Sequence, residues 1–307
     1  MRRLALSSIL LATLLVPTTA QASQLIARDA QDVTLKVDAQ GRALVGYRAK
    51  GKTWSVLAWG AVDALHPTAD RPQVRFKLDY PGGWGKYRKT LSRGFKNVCS
   101  PYAGPPLAWF VAGCTMPDGS HWALQAWQRG LPNLGLTPWK PLQASNELRL
   151  SHWSTDLPKL EIWVNWAHGK RFDHLFGRYT YLGQPVFGFN VSSKGAPSDG
   201  YGRNIYVDTL DSAYGPGWRR ENSFLAHKGT GVFCYGLYEH EPYPGYPAGR
   251  RPSGKGTSYR ATAVGPGVLP DVTWEGSAPG PYDPAADQQL AALQREVYGS
   301  DALCKPV

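Results

Sequence analysis

The sequence lacks several features that would assign it to a class of protein. Beyond the first residues there is no run of about 18 apolar residues, so no transmembrane helix is predicted in the rest of the chain. It has no Gly-x-Ser-x-Gly elbow, no His-Glu-x-x-His motif and no phosphate-binding P-loop. Its four cysteines are not spaced like zinc ligands, which come as close Cys-x-x-Cys or Cys/His pairs. No motif therefore names a reaction, and neither a metal nor a cofactor is predicted.

Acidic residues are also few compared with basic ones. The chain has 34 Lys and Arg against 23 Asp and Glu, a formal charge of +11. A basic protein is attracted to polyanions such as acidic cell-wall polymers, lipid headgroups or nucleic acid. Nucleic acid is the least suitable of these for a secreted product, which the N-terminus described next predicts, and it is not a predicted partner. The competing interpretation is a basic surface that serves only solubility.

The N-terminus has the three parts of a secretory signal peptide. Two arginines, Arg2 and Arg3, precede an apolar stretch from Leu4 to Val16, and the segment ends in Ala20-Gln21-Ala22. We predict cleavage after Ala22 and a secreted or cell-envelope location. No cysteine lies near this point, so no lipid anchor is predicted. The two arginines also permit a twin-arginine interpretation, although ordinary charge at the start of the signal is favoured.

The rest of the chain after this cleavage is 285 residues long, enough for one large β domain or two small ones. It contains four cysteines, Cys99, Cys114, Cys234 and Cys304. An even number in an oxidising compartment predicts two disulfides, with three connectivities. We favour Cys99–Cys114 and Cys234–Cys304. The first closes a loop of about 15 residues and contributes about 3 kcal/mol in the chain-entropy model.

Alternation of apolar and polar residues predicts a chain dominated by β-strands. Val33–Val37, Ala43–Tyr47 and Thr53–Trp59 predict a three-stranded meander, followed by a half-buried strand at Val74–Tyr80. The apolar run Leu107–Cys114 predicts a central strand. Its partner is His121–Trp127. Further strands are predicted at Leu148–His152, Leu160–Trp166, Phe172–Tyr181, Val186–Val191, Asn204–Thr209, Ser223–His227, Val232–Tyr238, Ser258–Val264 and Val272–Glu275.

Many short strands separated by Gly and Pro turns favour an all-β fold, an antiparallel β-sandwich-like body. One short C-terminal α-helix is predicted, capped by Asp283, with Pro284 at its first position and Gly299 at its end. Its apolar face comprises Ala286, Leu290, Leu293 and Val297. We therefore expect a signal peptide at 1–22, a β-rich domain at 23–282 and a helix with its tail at 283–307. A subdivision near 131–145 is left open.

The segment from Gly82 to Cys99 is the first candidate binding site. It carries five cations without an intervening acid, with aromatic residues between them. The aromatics are Trp84, Tyr87 and Phe95, and the cations are Lys86, Arg88, Lys89, Arg93 and Lys96. Rings stack on sugars and guanidinium groups pair with anions, so this pattern suits an anionic glycan. The alternative is a solvated basic face whose aromatics fill the core.

Aromatic residues elsewhere supply two weaker candidates. The Pro-rich loop from Pro242 to Thr257 carries Tyr243, Tyr246 and Arg250, which suit the rim of a ligand site, although disorder is the stronger interpretation. The chain has 12 Trp and 16 Tyr. Trp163 points away from the apolar face of its predicted strand, which predicts an exposed ring of the kind that glycan-binding sheets use. Core packing remains the expected role of most of these rings.

Catalysis has three weak candidates. The first comprises His168, Asp173 and His174, together with the Glu239–Glu241 motif as a further acid and histidine source. The second is a carboxylate pair for glycoside hydrolysis formed by Asp208 and Asp211. The third is Cys234 with His227 upstream.

The cysteine and histidine of the third candidate resemble the nucleophile and base of wall-crosslinking L,D-transpeptidases. Those enzymes have Gly before the Cys and Arg two residues after it. Here Phe233 and Gly236 stand at those positions, so a disulfide is favoured for Cys234.

Four segments resemble a group of secreted bacterial proteins of uncharacterised function. They are Trp84–Lys89, Pro132–Gly135, Tyr214–Phe224 and Gly231–Gly236. The resemblance implies export in a bacterium but brings no activity or site residue. The leading hypothesis is a secreted protein that binds cell-envelope glycan or another anionic polymer, cell-wall polysaccharide being the expected partner. The alternative is a secreted glycan- or cell-wall-active enzyme.

Overall fold

The computed structural model describes residues 23–66, 73–80, 92–129, 145–167, 172–186, 205–212, 215–225, 231–237 and 255–299. These residues form 17 β-strands and one α-helix. The strands are β1 (Gln24–Arg28), β2 (Gln31–Val37), β3 (Ala43–Ala49), β4 (Lys52–Trp59), β5 (Lys77–Asp79), β6 (Ser100–Pro101), β7 (Phe110–Thr115), β8 (His121–Trp127), β9 (Glu147–Trp153), β10 (Lys159–Ala167), β11 (Phe172–Tyr181), β12 (Gln184–Pro185), β13 (Ile205–Ser212), β14 (Gly215–Leu225), β15 (Val232–Leu237), β16 (Ser258–Ala263) and β17 (Val272–Ser277), and the helix is α1 (Pro284–Tyr298).

The strands form four antiparallel sheets. Sheet I has the order β2-β3-β4-β5, and sheet II has the order β1-β9-β8-β7-β6. Sheet III has the order β10-β11-β12, with β15 also paired to β11, and sheet IV has the order β14-β13-β16-β17. The predicted all-β, sandwich-like body with one C-terminal helix is confirmed.

The central strands of sheet II, β8 and β9, are buried on both faces and so belong to two cores. In β8, Trp122 and Leu124 point into a core shared with sheet I, where they meet Val45 and Val56. The intervening Ala123 points to the opposite side, into a core formed with sheets III and IV. Successive side chains alternate between the faces of a strand, which explains this division. It also explains why β8 is apolar over most of its length instead of alternating.

The C-terminal helix begins and ends where the sequence predicts. The Asp283 side chain accepts hydrogen bonds from the backbone N–H groups of Ala285 and Ala286, and Pro284 occupies the first turn. Gly299 ends the helix, its N–H donating to the Arg295 carbonyl. Leu290, Leu293 and Val297 pack in a small cluster on the outer face of sheet III, with Phe176 and Trp163. The predicted apolar stripe is therefore what attaches the helix to the body.

Two strand predictions need correction. The meander of β2, β3 and β4 is confirmed, but only Lys77–Asp79 of the predicted strand Val74–Tyr80 is a strand paired with β4. The run Leu107–Cys114 is not a fully buried central strand, because the strand begins at Phe110 and its neighbour β6 has only two residues. An irregular register between Phe110 and Ala112 leaves Phe110 and Val111 about 40% exposed (43% and 40%).

The disulfide between Cys99 and Cys114 is present as predicted. Cys234 is also disulfide-bonded, and its predicted partner, Cys304, lies outside the described residues. Most of the segment 131–145 lies outside them too. In the described part of the chain, no helix has the length and apolar character needed to cross a bilayer.

Candidate functional site

Most of the predicted binding residues lie outside the described part of the chain. This applies to Trp84, Lys86, Tyr87, Arg88 and Lys89 in the basic segment and to Tyr243, Tyr246 and Arg250 in the Pro-rich loop. The end of the basic segment, residues 92–99, is described. Its position in the fold can therefore be compared with the prediction.

Three contacts fix the end of this segment along the edge of sheet I. The Val98 N–H donates to the Val37 carbonyl (2.9 Å), and the Asn97 side-chain oxygen accepts from the Val37 N–H (2.8 Å). The Cys99–Cys114 disulfide then joins the segment to β7 of sheet II. Residues 93–98 are thus held between two sheets, although they belong to neither. Asn97, Val98 and Cys99 together account for this local geometry.

These residues form one wall of a groove of about 410 Å³, which we call the basic groove. The second wall is the turn between β2 and β3, with Asp38 and Arg42, and Leu57 of β4 also lines the groove. The first wall includes Arg93, Phe95 and Lys96. Leu57 is 1% exposed and gives the lining an apolar part. No sequence pattern indicated the second wall, which lies some 50 residues earlier in the chain.

Among the described residues that line the basic groove, three cations face one acid. Its acid, Asp38, is 4% exposed and already holds the Arg42 guanidinium at 2.5 Å, as well as the backbone N–H groups of Gln40 and Arg42. Arg93 and Lys96 are exposed, and no described carboxylate pairs with either of them. Phe95 lies half-buried between these two cations in sequence. The groove therefore offers two cations and a ring to a ligand.

A second groove, of about 560 Å³, lies at the β10–β11 edge but has balanced charge. Glu161 accepts a hydrogen bond from Arg178 (2.6 Å) and pairs with Lys159 (2.9 Å). The hydrogen bond from Arg178, followed by that from Lys159, holds the pKa of Glu161 below its usual value. Because its charges neutralise one another, this larger groove is less suited to a polyanion than the basic groove.

The chain has no significant match among models of known protein families, curated proteins or solved structures.

The largest group of arginines and aromatic rings in the described structure has a structural role. We call it the Arg–Trp stack: Trp109, Trp127, Asp208, Trp218, Arg220 and Arg260. Strand register places Asp208 of β13 directly opposite Arg220 of β14 and Arg260 of β16. Asp208 accepts from Arg220 Nε at 2.6 Å and from Arg260 Nε and Nη2 at 3.2 Å each. This carboxylate therefore pairs with both guanidinium groups, and Glu275 lies 3.6 Å from Arg260 Nη1 as a second acid.

Aromatic rings enclose both guanidinium groups of the Arg–Trp stack. The Arg260 guanidinium carbon lies 4.4 Å from the ring centroids of both Trp109 and Trp218. That of Arg220 lies 5.6 Å from the centroid of Trp127. These are cation–π distances. With its cations paired and its rings stacked, the Arg–Trp stack has little left to offer a ligand.

The structure gives other roles to the residues that suggested catalysis. Asp208 belongs to the Arg–Trp stack, whereas Asp211 accepts from the Gly217 N–H in the β13–β14 turn (2.6 Å). Asp208 and Asp211 therefore bind different groups of the protein, an arginine pair and a backbone N–H. Cys234 is disulfide-bonded and has no thiolate to act as a nucleophile. His168, His227 and residues 239–241 lie outside the described residues.

Asp173 and His174 are buried and hydrogen-bonded on opposite sides of β11. Asp173 is 1% exposed and accepts from the Tyr259 hydroxyl, while Lys255 Nζ lies 3.6 Å from its other oxygen. His174 Nδ1 lies 2.7 Å from Asn165 Oδ1, and Asn165 donates to Gln294 of the helix (3.2 Å). Within the described residues no group of three or more His, Cys, Asp or Glu side chains could hold a metal ion.

Sequence reasoning missed a serine–histidine contact, that of Ser120 with His152. Ser120 Oγ lies 3.1 Å from His152 Nε2, but it also donates to Asp118 (2.7 Å) and Ser120 is 3% exposed. The His152 ring stacks on Trp122 (3.9 Å between centroids), and burial lowers the pKa of this histidine. A hydroxyl that is buried and donates to a carboxylate is not placed to attack a substrate.

The prediction of an exposed Trp163 is wrong. Trp163 stacks on Phe176 (5.6 Å between centroids) and packs in the cluster that helix α1 covers. The outer face of sheet III is therefore an interface with the helix. Trp54 of β4 is the exposed indole of the described structure, with 42% of its surface accessible. The exposure of Trp54 could have been predicted from the sequence, because Trp54 lies two residues after the polar turn Lys50–Lys52.

Proposed function

We propose that the protein is exported after removal of residues 1–22 and binds an anionic cell-envelope polysaccharide through the basic groove. Removal of the leader leaves 32 basic and 23 acidic side chains, a formal charge of +9. The observation that carries the proposal is the state of the charges in the groove. Arg93 and Lys96 are exposed without an acidic partner among the described residues, while Asp38 is committed to Arg42.

The ligand class follows from this chemistry. A polymer with carboxylate or phosphate groups pairs with exposed cations, and a sugar ring packs on the face of a half-buried Phe95. The predicted residues Trp84, Lys86, Tyr87, Arg88 and Lys89 precede this wall in the sequence and extend the same pattern of cations and rings. We propose that they contribute to the same site.

The test is retention of the purified protein on isolated cell wall. The double variant R93E/K96E should lose most of its retention at physiological salt, because two attractive contacts become repulsive. The triple variant K86E/R88E/K89E tests the predicted upstream part in the same way. Raising the salt concentration should release the unaltered protein, since exposed charges are screened.

The double variant K50E/K52E is the matched control. It makes the same change in net charge at the turn between β3 and β4, where both lysines are exposed. This turn lies at the far end of β3 from Arg42, about 20 Å away for a strand of that length. Equal losses in the two double variants would mean that only total charge matters. Undiminished retention of R93E/K96E would refute the proposed site.

A further inference from the structure

The first residue after the predicted cleavage point, Ser23, is part of the folded interior. Ser23 is 1% exposed, and its backbone N–H donates to the Gly267 carbonyl (2.8 Å). The next residue, Gln24, begins β1, which pairs with Leu150 of β9. The nitrogen of the bond to be cut is therefore itself a buried hydrogen-bond donor.

Two buried arginines hold Ser23 in place. Arg149 Nη1 donates to the Ser23 carbonyl (2.9 Å), and Arg129 Nη1 donates to the Ser23 hydroxyl (3.3 Å). The Arg149 side chain is 8% exposed and pairs with Glu147 at 2.6 Å. The Arg129 side chain is 5% exposed and lies 3.9 Å from the Asp271 carboxylate. We call these two arginines and their two acids the arginine pocket.

The arginine pocket is strongly desolvated. Burial lowers the pKa of Arg149 to about 10, with a further contribution from the nearby Arg129. A buried cation of this kind is stable only while its partners are in place, and here they include the Ser23 carbonyl and Glu147. Exposing Ser23 would remove one of those partners and separate β1 from β9.

We infer that the leader is removed from the unfolded chain, and that the freed Ser23 then docks in the arginine pocket as β1 joins sheet II. This inference rests on the signal-peptide part of the proposed function. A membrane-bound signal peptidase hydrolyses the bond between Ala22 and Ser23. Water supplies the second oxygen of the new Ala22 carboxylate, and both of its protons pass to the Ser23 nitrogen, which changes from an amide N–H to an ammonium group as the C–N bond breaks.

The order of events follows from what a protease requires. Proteases bind accessible, locally unfolded segments, so a bond whose nitrogen is buried is cut only when the surrounding structure opens. Opening here would break the contacts of Ser23 with Gly267, Arg129 and Arg149. Export of the folded protein followed by cleavage would meet this barrier. Export of the unfolded chain avoids it, which favours ordinary n-region charge over a twin-arginine interpretation of Arg2 and Arg3.

An engineered protease site measures the barrier directly. In the full chain, residues 19–22 are replaced by Ile-Glu-Gly-Arg, after which factor Xa cuts immediately before Ser23. A matched variant carries a Gly-Ser spacer of about six residues between this site and Ser23, long enough to extend the site into solvent. After oxidative refolding, the variant without the spacer should be cut roughly 100-fold more slowly, because cleavage follows the opened fraction.

Both variants should be cut at the same rate in a denaturant concentration that unfolds them and leaves factor Xa active. Equal rates in the folded state would overturn the inference. In cells, the variant R2K/R3K should be exported and processed to start at Ser23, as the unaltered chain is. Loss of export would show a twin-arginine route and would also overturn it. Neither measurement depends on polysaccharide retention. A refutation of polysaccharide binding at the basic groove is therefore distinguishable from a refutation of leader removal before folding.

Discussion

The Arg–Trp stack and the basic groove contain the same residue types in different electrostatic states. In the stack, Asp208 holds Arg220 at 2.6 Å and Arg260 at 3.2 Å, and all three side chains are at most 14% exposed. In the groove, Arg93 and Lys96 face solvent, and among the described residues no acid pairs with them. Arginine beside an aromatic ring is thus compatible with either stability or binding. The position of the nearest carboxylate distinguishes an arginine that stabilises the fold from one that is available to bind a ligand.

This comparison corrects a common way of interpreting composition. A sequence rich in Trp, Tyr and Arg favours a glycan-binding surface, since rings stack on sugars and guanidinium groups bind anions. In this protein much of that composition stabilises sheet IV and its contact with sheet II. Fewer cations and rings are left for binding. They lie in the basic groove, next to the β2–β3 turn and the Cys99–Cys114 disulfide.

Removal of the central acid of the stack should have the largest effect. The substitution Asp208→Ala leaves Arg220 and Arg260 without their shared partner in a mostly buried site. Breaking a buried ion pair from one side destabilises a protein by about 3–5 kcal/mol. Denaturant unfolding measures this loss. The control is Asp32→Asn, which removes the charge of an exposed pair with Arg48 (2.8 Å), suits the positive φ of 50° at this position and should cost less than about 1 kcal/mol. Equal effects would show that the stack is not a stabilising element.

Removal of the disulfide beside the groove should have the next largest effect. The double variant C99S/C114S opens a link between residues 15 apart in sequence. The free energy of unfolding should fall by about 3 kcal/mol, mainly because the unfolded chain gains freedom. The folded variant should also bind cell wall less tightly, since the wall of the groove loses its covalent link to β7. A loss below about 1 kcal/mol would indicate that the hydrogen bonds to Val37 suffice to hold this wall.

The sequence predicted the features whose signals are local. The meander of β2 to β4, the caps of helix α1 at Asp283 and Gly299, and the Cys99–Cys114 disulfide all depend on residues close in the chain. In each, a turn, a cap or a short loop determines the geometry with few alternatives. The apolar run Leu107–Cys114 was misjudged because an irregular register near Phe110 turns two successive side chains outward. Hydrophobicity alone does not report such irregularities.

The candidate site was only partly predictable for the same reason. The sequence indicated the cations of the segment 82–99, but the opposing wall of the groove, with Asp38 and Arg42, comes from another part of the chain. The pairing of Asp208 with Arg220 and Arg260 spans 12 and 52 residues. Which acid neutralises which cation depends on strand order, and a single sequence does not specify strand order.

A pair of matched Arg→Lys substitutions tests the comparison with the smallest chemical change. Arg260→Lys keeps the charge but loses the planar group between Trp109 and Trp218 and its two hydrogen bonds to Asp208. We expect a loss of about 1–2 kcal/mol, because a lysine cannot reproduce this stacking. Arg93→Lys should change stability by less than about 0.5 kcal/mol, as is usual for an exposed side chain without fixed partners.

Denaturant midpoints measured at a constant unfolding slope give both values. Retention on cell wall should show little change in either variant, because both keep their positive charge. If Arg260→Lys changed the free energy of unfolding as little as Arg93→Lys, the guanidinium of Arg260, enclosed by rings, would contribute no more to stability than the exposed one of Arg93. The position of the carboxylate would then no longer distinguish the stabilising arginines from the binding ones.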